Sequence, residues 1–254
     1  MDERKIFFFT CVSPGGEEVY SHCERHIREL IVPEGFRVEI GQARGAPGLA
    51  EGYNLGMARS GARYKVYLHQ DAFIINRMFL FDVLRLFMAH PEIGLMGVAG
   101  CGILPASGIW WQGKNLTGKV IEYRKAFSVQ SFADAAAPVS YVQAIDGLIM
   151  ITQYDLPWRE DLFTGFHFYD ISQSLEFIKA GRRVAIPAQT DPWCIHYSAK
   201  PFDIDGDYLR YKSVFLEHYG EFCGVRSFRN TLKEFDYKLR KVKRRGFSKM
   251  SGRL

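Results

Sequence analysis

The chain is poor in cysteine and has no Cys-x-x-C pair. Its five cysteines, at positions 11, 23, 101, 194 and 223, are scattered and odd in number. That speaks against a structural zinc site or a disulfide framework and suits a reducing cytoplasm. Long apolar runs are also scarce at the start: MDERKIFFFT carries charges around a very short apolar run and reads as a first strand, not as a signal peptide. The body has no basic excess. Of the net charge of +5, residues 231–254 supply +7, with nine Lys/Arg against two Asp/Glu, which leaves −2 for the rest of the chain. A near-neutral body argues against a nucleic-acid-binding face. One stretch, residues 93–111, is free of charge over a length that could span a bilayer. It holds five Gly and one Pro, which fit a buried strand and loop better than a lipid-facing helix. No internal repeat is visible. What the chain has in quantity is aromatic side chains, 20 Phe and 13 Tyr within an aromatic share of 15%, and an apolar content of 47% that supports a sizeable core.

The apolar pattern predicts alternating strands and helices. Residues 5–12 read as a buried strand ending in Ser-Pro-Gly-Gly, and 17–31 as an amphipathic helix stopped by Pro33 and Gly35. Residues 36–40 alternate like a strand, and a Gly-rich loop is expected after them. A helix over 49–60, a strand over 64–68, a helix over 77–89 and a strand over 93–99 follow. This order predicts an α/β fold with a mostly parallel central sheet and helices on both faces. Ligands of such sheets bind beyond the carboxyl ends of the strands, where Thr10 to Ser13 and His69 to Asp71 fall. The second half is less regular. Residues 104–138 read as a long loop or small hairpin, 141–151 end as a strand, 171–180 form a helix closed by Gly181, and 183–186 form a strand.

Three constellations carry chemistry. In Val66-Tyr-Leu-His-Gln-Asp71 an apolar strand delivers a carboxylate to its end. Such a carboxylate can hold a divalent ion that neutralises a diphosphate, or it can cap the next segment. In Phe163-Thr-Gly-Phe-His-Phe-Tyr-Asp170 an Asp sits among aromatics before a helix, placed to act as a general base or as an N-cap. In Asp191-Pro-Trp-Cys-Ile-His196 the imidazole is a metal ligand or a hydrogen-bonded core histidine. Asp146-Gly147 can line an acceptor site or form a turn. Trp110, Trp111, Trp158 and Trp193 are sugar-stacking platforms or core.

Taken together, from Phe7 to His196, these segments resemble the inverting family-two glycosyltransferases of the GT-A type, in particular their streptomycin-biosynthesis StrF-type branch. Leu49-Ala-Glu-Gly-Tyr-Asn54, Tyr67-Leu-His-Gln-Asp71, Asp146-Gly147, Gly165-Phe-His-Phe-Tyr-Asp170 and Gly181-Arg-Arg-Val-Ala-Ile-Pro187 carry the resemblance. It implies a GT-A fold over residues 1–230 and a nucleotide-sugar donor, taken as UDP-linked, held by Thr10, Val12, Asn54, His69 and Gln70. His69-Gln70-Asp71 would stand in for the Asp-x-Asp metal motif. A divalent metal, Mn2+ or Mg2+, would bind Asp71 and His196. Asp170 would be the catalytic base, with Asp146, Gly147 and Trp111 at the acceptor. The acceptor class stays open among glycan, lipid-linked and small-molecule hydroxyls. Two departures stand out: His69 replaces the first Asp of the metal motif, and Tyr169 replaces the Glu of the usual Glu-Asp pair. Two rival readings remain at this level. One is a non-catalytic carbohydrate- or nucleotide-binding protein. The other is a sugar-nucleotidyltransferase, which the acidic loop Ser-Pro-Gly-Gly-Glu-Glu disfavours, since it offers no Lys or Arg to a triphosphate.

Residues 231–254 read as a separate basic tail. Leu232, Phe235, Leu239 and Val242 share one helical face, ringed by Lys and Arg. Such a helix either lies on an anionic membrane surface, with the protein peripheral at its cytoplasmic face, or docks on the body.

Overall fold

The computed structural model describes residues 1–134, 138–198 and 204–224, and the predicted basic tail lies outside them. In chain order the elements are β1 (Asp2–Val12), α1 (Glu17–Arg28), β2 (Arg37–Arg44), α2 (Leu49–Arg59), β3 (Ala62–His69), β4 (Ala72–Ile74), α3 (Phe79–Ala89), β5 (Ile93–Gly97) and β6 (Ala99–Ile103). There follow β7 (Lys114–Tyr123), β8 (Phe127–Ser131), β9 (Val139–Val142), β10 (Ala144–Ile145), β11 (Ile149–Thr152), α4 (Tyr169–Lys179), β12 (Arg183–Pro187), β13 (Cys194–Tyr197) and α5 (Gly206–Tyr219). A seven-stranded sheet runs β2-β1-β3-β11-β5-β12-β9. A six-stranded sheet runs β10-β6-β7-β13-β4, with β8 paired to β7.

Alternation along β1 explains why helices cover both faces of the large sheet. Phe8 packs on Phe79 of α3, ring centroids 6.3 Å apart, and Tyr64 of β3 meets Phe87 of the same helix at 5.9 Å. Phe9 and Cys11 point the other way, under Gly56 and Gly52 of α2, where any Cβ would overlap them. The glycines of α2 are therefore there for close approach. Every residue of β5 and β11 is buried.

The α/β architecture is as expected, but the large sheet is more evenly mixed than the alternation implied. The β1–β2, β1–β3 and β5–β12 ladders are parallel, whereas β3–β11, β5–β11 and β9–β12 are antiparallel. The antiparallel strand β11 is inserted between β3 and β5, and it comes from the half where the sequence showed no regular alternation. Other boundaries also differ. The loop expected after residue 40 begins later, because β2 continues to Arg44. Gly41 is a strand glycine on which the rings of Phe7 and Phe9 sit. The charge-free stretch 93–111 divides between the two sheets as β5 and β6, and no helix among the described residues is long and apolar enough to cross a membrane. The expected hairpin within 104–138 is β7–β8, with β7 central to the second sheet.

Candidate active site

The site forms where the chain leaves one sheet for the other. β3 ends at His69 in the large sheet, the Gln70-Asp71 turn follows, and β4 starts in the second sheet at Ala72. β4 pairs with β13 so that His196 faces Ala72, and Tyr197 N–H donates to the Asp71 carbonyl at 2.8 Å. Register thus brings His196 back across 125 positions of sequence to Asp71. On its other side β13 runs parallel to β7, with His196 opposite Glu122.

The distances give this cluster a direction. His69 Nδ1 lies 4.0 Å from Asp71 Oδ1, and His196 Nε2 lies 3.7 Å from Asp71 Oδ2. One donor atom from each residue falls within 4.8 Å of the others. Ligands about 2.1 Å from one ion stand no more than about 4.2 Å apart, so closure by roughly half an ångström would let all three share a cation. The side chains are 25–31% exposed, so an ion can reach them. Burial holds the His69 imidazole below its usual pKa; Asp71 pulls the other way and His196 adds to the lowering. A neutral imidazole is the form that binds a metal. Two imidazoles and a carboxylate are a donor set that suits a divalent transition ion. Asp71 and His196, expected to share one metal ion, lie side by side, and His69 joins them.

Asp170 sits in the second position of α4. The helix starts at Tyr169, and its N-cap is Phe168, which makes no side-chain cap. Asp170 is therefore not the N-cap residue itself, although backbone N–H groups of the first turn reach its carboxylate. Burial, reinforced by the Asp146 carboxylate, pushes Asp170 up to about 7, against backbone N–H groups at Ile171, Asp170 and Gly147. Asp146 both lines the cavity and makes a turn, its Oδ1 accepting from Leu148 N–H at 2.8 Å. Phe168 is left-handed, with φ 62°, and is buried against Tyr208 and Phe215 of α5 at 5.1 and 5.3 Å.

Asp170, Asp146, Gly147, His69, His196 and Trp111 all line one cavity of about 790 Å³. Its opposite wall is built from the β7–β8 hairpin, including Glu122 and Arg124. Thr10, Val12, Asn54 and Gln70 do not line it. Thr10 and Val12 are buried at the end of β1. Gln70 is latched to the loop after β1, its Oε1 accepting from Ser13 N–H and its Nε2 donating to Ser13 Oγ, both at 2.9 Å. Asn54 holds the segment after β11: Nδ2 donates to the Trp158 carbonyl at 3.0 Å and to Glu160 at 2.8 Å, and Oδ1 accepts from Trp158 N–H. Its amide is fully engaged, so the structure gives Asn54 a framework role in place of a place on the cavity wall. Trp158 and Trp193 are core, the first beside Tyr53 and Tyr67 and the second against Phe79. Glu122, Arg124 and Phe168 were not read from the sequence. Only strand register joins Glu122 to His196, and no local pattern announces that.

The sequence matches the glycosyltransferase-like family over residues 7–219. No curated protein sequence matches it. Among solved structures, S. aureus TarS 1-349 in complex with UDP-GlcNAc aligns with a TM-score of 0.53 at 10% identity, over 91% of this chain and 71% of that one. TarS 1-349 in complex with UDP gives 0.50 at 9% identity, over 76% of this chain and 60% of that one. A longer S. aureus TarS chain gives 0.53 at 10%, over 91% and 42%. The chain thus spans three fifths or less of the length of two of these TarS chains. Identity this low speaks for the fold alone, which is the α/β fold of the GT-A glycosyltransferases. With a sequence match that runs through both sheets and takes in His69, Asp71, Asp170 and His196, the chain belongs to the glycosyltransferase-like family.

Proposed function

We propose that the protein transfers a sugar from a UDP-linked donor to a hydroxyl acceptor, with inversion, in the manner of the StrF-type branch that the His-Gln-Asp motif resembles. The carrying observation is that a carboxylate held near 7, Asp170, opens into the same cavity as the His69 and His196 rings that flank Asp71. Binding of UDP and UDP-GlcNAc by TarS supports the choice of donor.

In this reading the base and ribose rest at the end of β1, by Thr10, Val12 and the Ser13–Gln70 latch. His69, Asp71 and His196 would hold Mn2+ or Mg2+, which when bound neutralises charge on a diphosphate leaving group. Asp170 takes the proton of the acceptor hydroxyl as its oxygen bonds to the anomeric carbon. The bond to the diphosphate breaks on the opposite side, and one displacement inverts the configuration. A base near 7 is half in its working form at neutral pH, close to the optimum for proton transfer. Trp111 on the cavity wall and Asp146 on its floor would orient the acceptor. The basic tail, read from sequence, would hold the protein at an anionic membrane surface, and failure to co-sediment with anionic vesicles at low salt would remove that element.

The test is calorimetry of UDP with and without Mn2+, followed by product analysis with UDP-sugars. UDP binding that strengthens with Mn2+ and loses that strengthening in Asp71→Ala supports the reading. Equal binding in both conditions would sink its metal-assisted form. Retained anomeric configuration in the product would exclude the single displacement.

A further inference from the structure

We infer that Tyr169 is a positioning residue for the cluster of His69, Asp71 and His196, its hydroxyl fixing His69 so that Nδ1 presents a lone pair towards Asp71. The inference rests on the metal-assisted reading above. The two residues that depart from the family pattern, His69 and Tyr169, lie 100 positions apart and touch, with Nε2 2.6 Å from Oη.

The phenol decides the direction of that hydrogen bond. A phenol has a single proton to donate. Oη donates to the Gly147 carbonyl at 3.3 Å, and that carbonyl can only accept. The hydroxyl then accepts from His69. The imidazole carries its proton on Nε2, and the bare nitrogen is Nδ1, the atom on the Asp71 side. The ring itself is held in place: Tyr53 and Trp158 pack on it at 5.8 and 6.2 Å, and a Cβ on Gly147 would overlap its hydroxyl. Phenylalanine would satisfy that packing, so the hydroxyl needs a polar reason, and His69 supplies it.

The second histidine repeats the plan. His196 turns Nε2 to Asp71 and leaves Nδ1 3.8 Å from Glu122 Oε1. Each imidazole therefore has one nitrogen facing the shared carboxylate and the other facing an outer partner. Outer partners of this kind fix the tautomer of a ligating histidine, and losing one typically weakens metal binding about 10–100-fold.

The experiment titrates Mn2+ alone into the native protein and into Tyr169→Phe, His69→Ala and Asp71→Ala, following free Mn2+ by paramagnetic resonance. The visible spectrum of bound Co2+ reports the donor set in parallel. Tyr169→Phe is expected to bind about 10–100-fold more weakly, with an altered Co2+ spectrum and a nearly unchanged melting temperature. If Asp71→Ala and His69→Ala weaken binding while Tyr169→Phe keeps native affinity and spectrum, the inference fails and the metal reading stands. If the native protein binds no Mn2+, or Asp71→Ala binds as tightly as native, the metal reading falls and takes the inference with it. Should Tyr169→Phe not fold, nitrogen NMR of the native metal-free protein decides. A proton on His69 Nε2 supports the inference, and one on Nδ1 overturns it.

Discussion

Residues 1–97 and residues 99–198 are built by different rules. In the first region the strands β1, β2 and β3 run parallel, and several of its polar side chains are committed to neighbours. Lys65, fully buried, donates to Asp155 at 2.6 Å, Gln70 is tied to Ser13, and Asn54 to Trp158. The second region contributes mostly antiparallel pairings and most of the discomfort: a left-handed phenylalanine, two neighbouring carboxylates, and a histidine between Asp71 and Glu122. The contrast separates side chains tied into the framework, such as Lys65 and Asn54, from those gathered at the cavity, such as Asp146 and Asp170, which His69 joins from the end of β3. Removing a group of the first kind should lower stability and spare turnover. Removing one of the second kind should do the reverse.

Asp170→Asn is the largest expected break. Transfer should fall about 100–10,000-fold, the usual contribution of a positioned base, while UDP affinity holds. Stability supplies an independent sign. The folded carboxyl is held to about 7, above the ordinary carboxylate value. Between about pH 4 and 7 the native state keeps a proton that the unfolded chain has released, so this group's contribution to stability falls as pH rises through that window. Asn cannot ionise, so melting curves at pH 5 and pH 8 should show a smaller loss for the variant than for the native protein. A variant that turns over normally and melts earlier at both pH values would make Asp170 structural.

Asn54→Ala should behave in the opposite way. It strands the Trp158 N–H and carbonyl, and an unsatisfied buried partner costs about 1–3 kcal/mol. Urea midpoints should drop accordingly, with UDP affinity unchanged. A loss of UDP affinity without loss of stability would move Asn54 from the framework to the donor site.

The smallest effect concerns Asp146. With Asp170 at about 7, the rate should decline on the acid side with a midpoint near that value. About one unit below it the rate should be roughly a tenth of its plateau. The Asp146 carboxylate is the second cause of the shift, after burial. Asp146→Asn should therefore move the acid limb to lower pH, by less than burial alone accounts for. An unmoved limb would mean that the two carboxylates do not sense each other.

How far the sequence was legible follows the same division. The first region could be read because continuous apolar runs and glycine punctuation state its strands and helices directly. The error there, a loop placed over Gly41, came from treating a packing glycine as a turn. In the second region β13 is a strand by virtue of its neighbours, and no periodicity in Asp191-Pro-Trp-Cys-Ile-His196 marks it. α5 was missed although its signal was present: Tyr208, Tyr211, Phe215 and Tyr219 fall on one buried face, and Asp205 caps Tyr208 N–H at 2.7 Å. For the site, Asp71, Asp170 and His196 were each visible as residues. Their grouping required the β4–β13 and β7–β13 registers, which are long-range facts.

The left-handed backbone at Phe168 has a consequence for α5. A bulky residue with positive φ costs of order 1–3 kcal/mol and persists only where its surroundings hold it. Those surroundings are Tyr208 and Phe215, on a helix that begins 36 positions beyond Asp170. The first turn of α4 therefore leans on the aromatic face of α5. Phe215→Leu, which thins that face, lies away from the end of β1. It is expected to loosen the placement of Asp170 in the cavity and to reduce kcat at constant UDP affinity. Alignment of Asp170 is thus a property of α5 as much as of the segment that carries it.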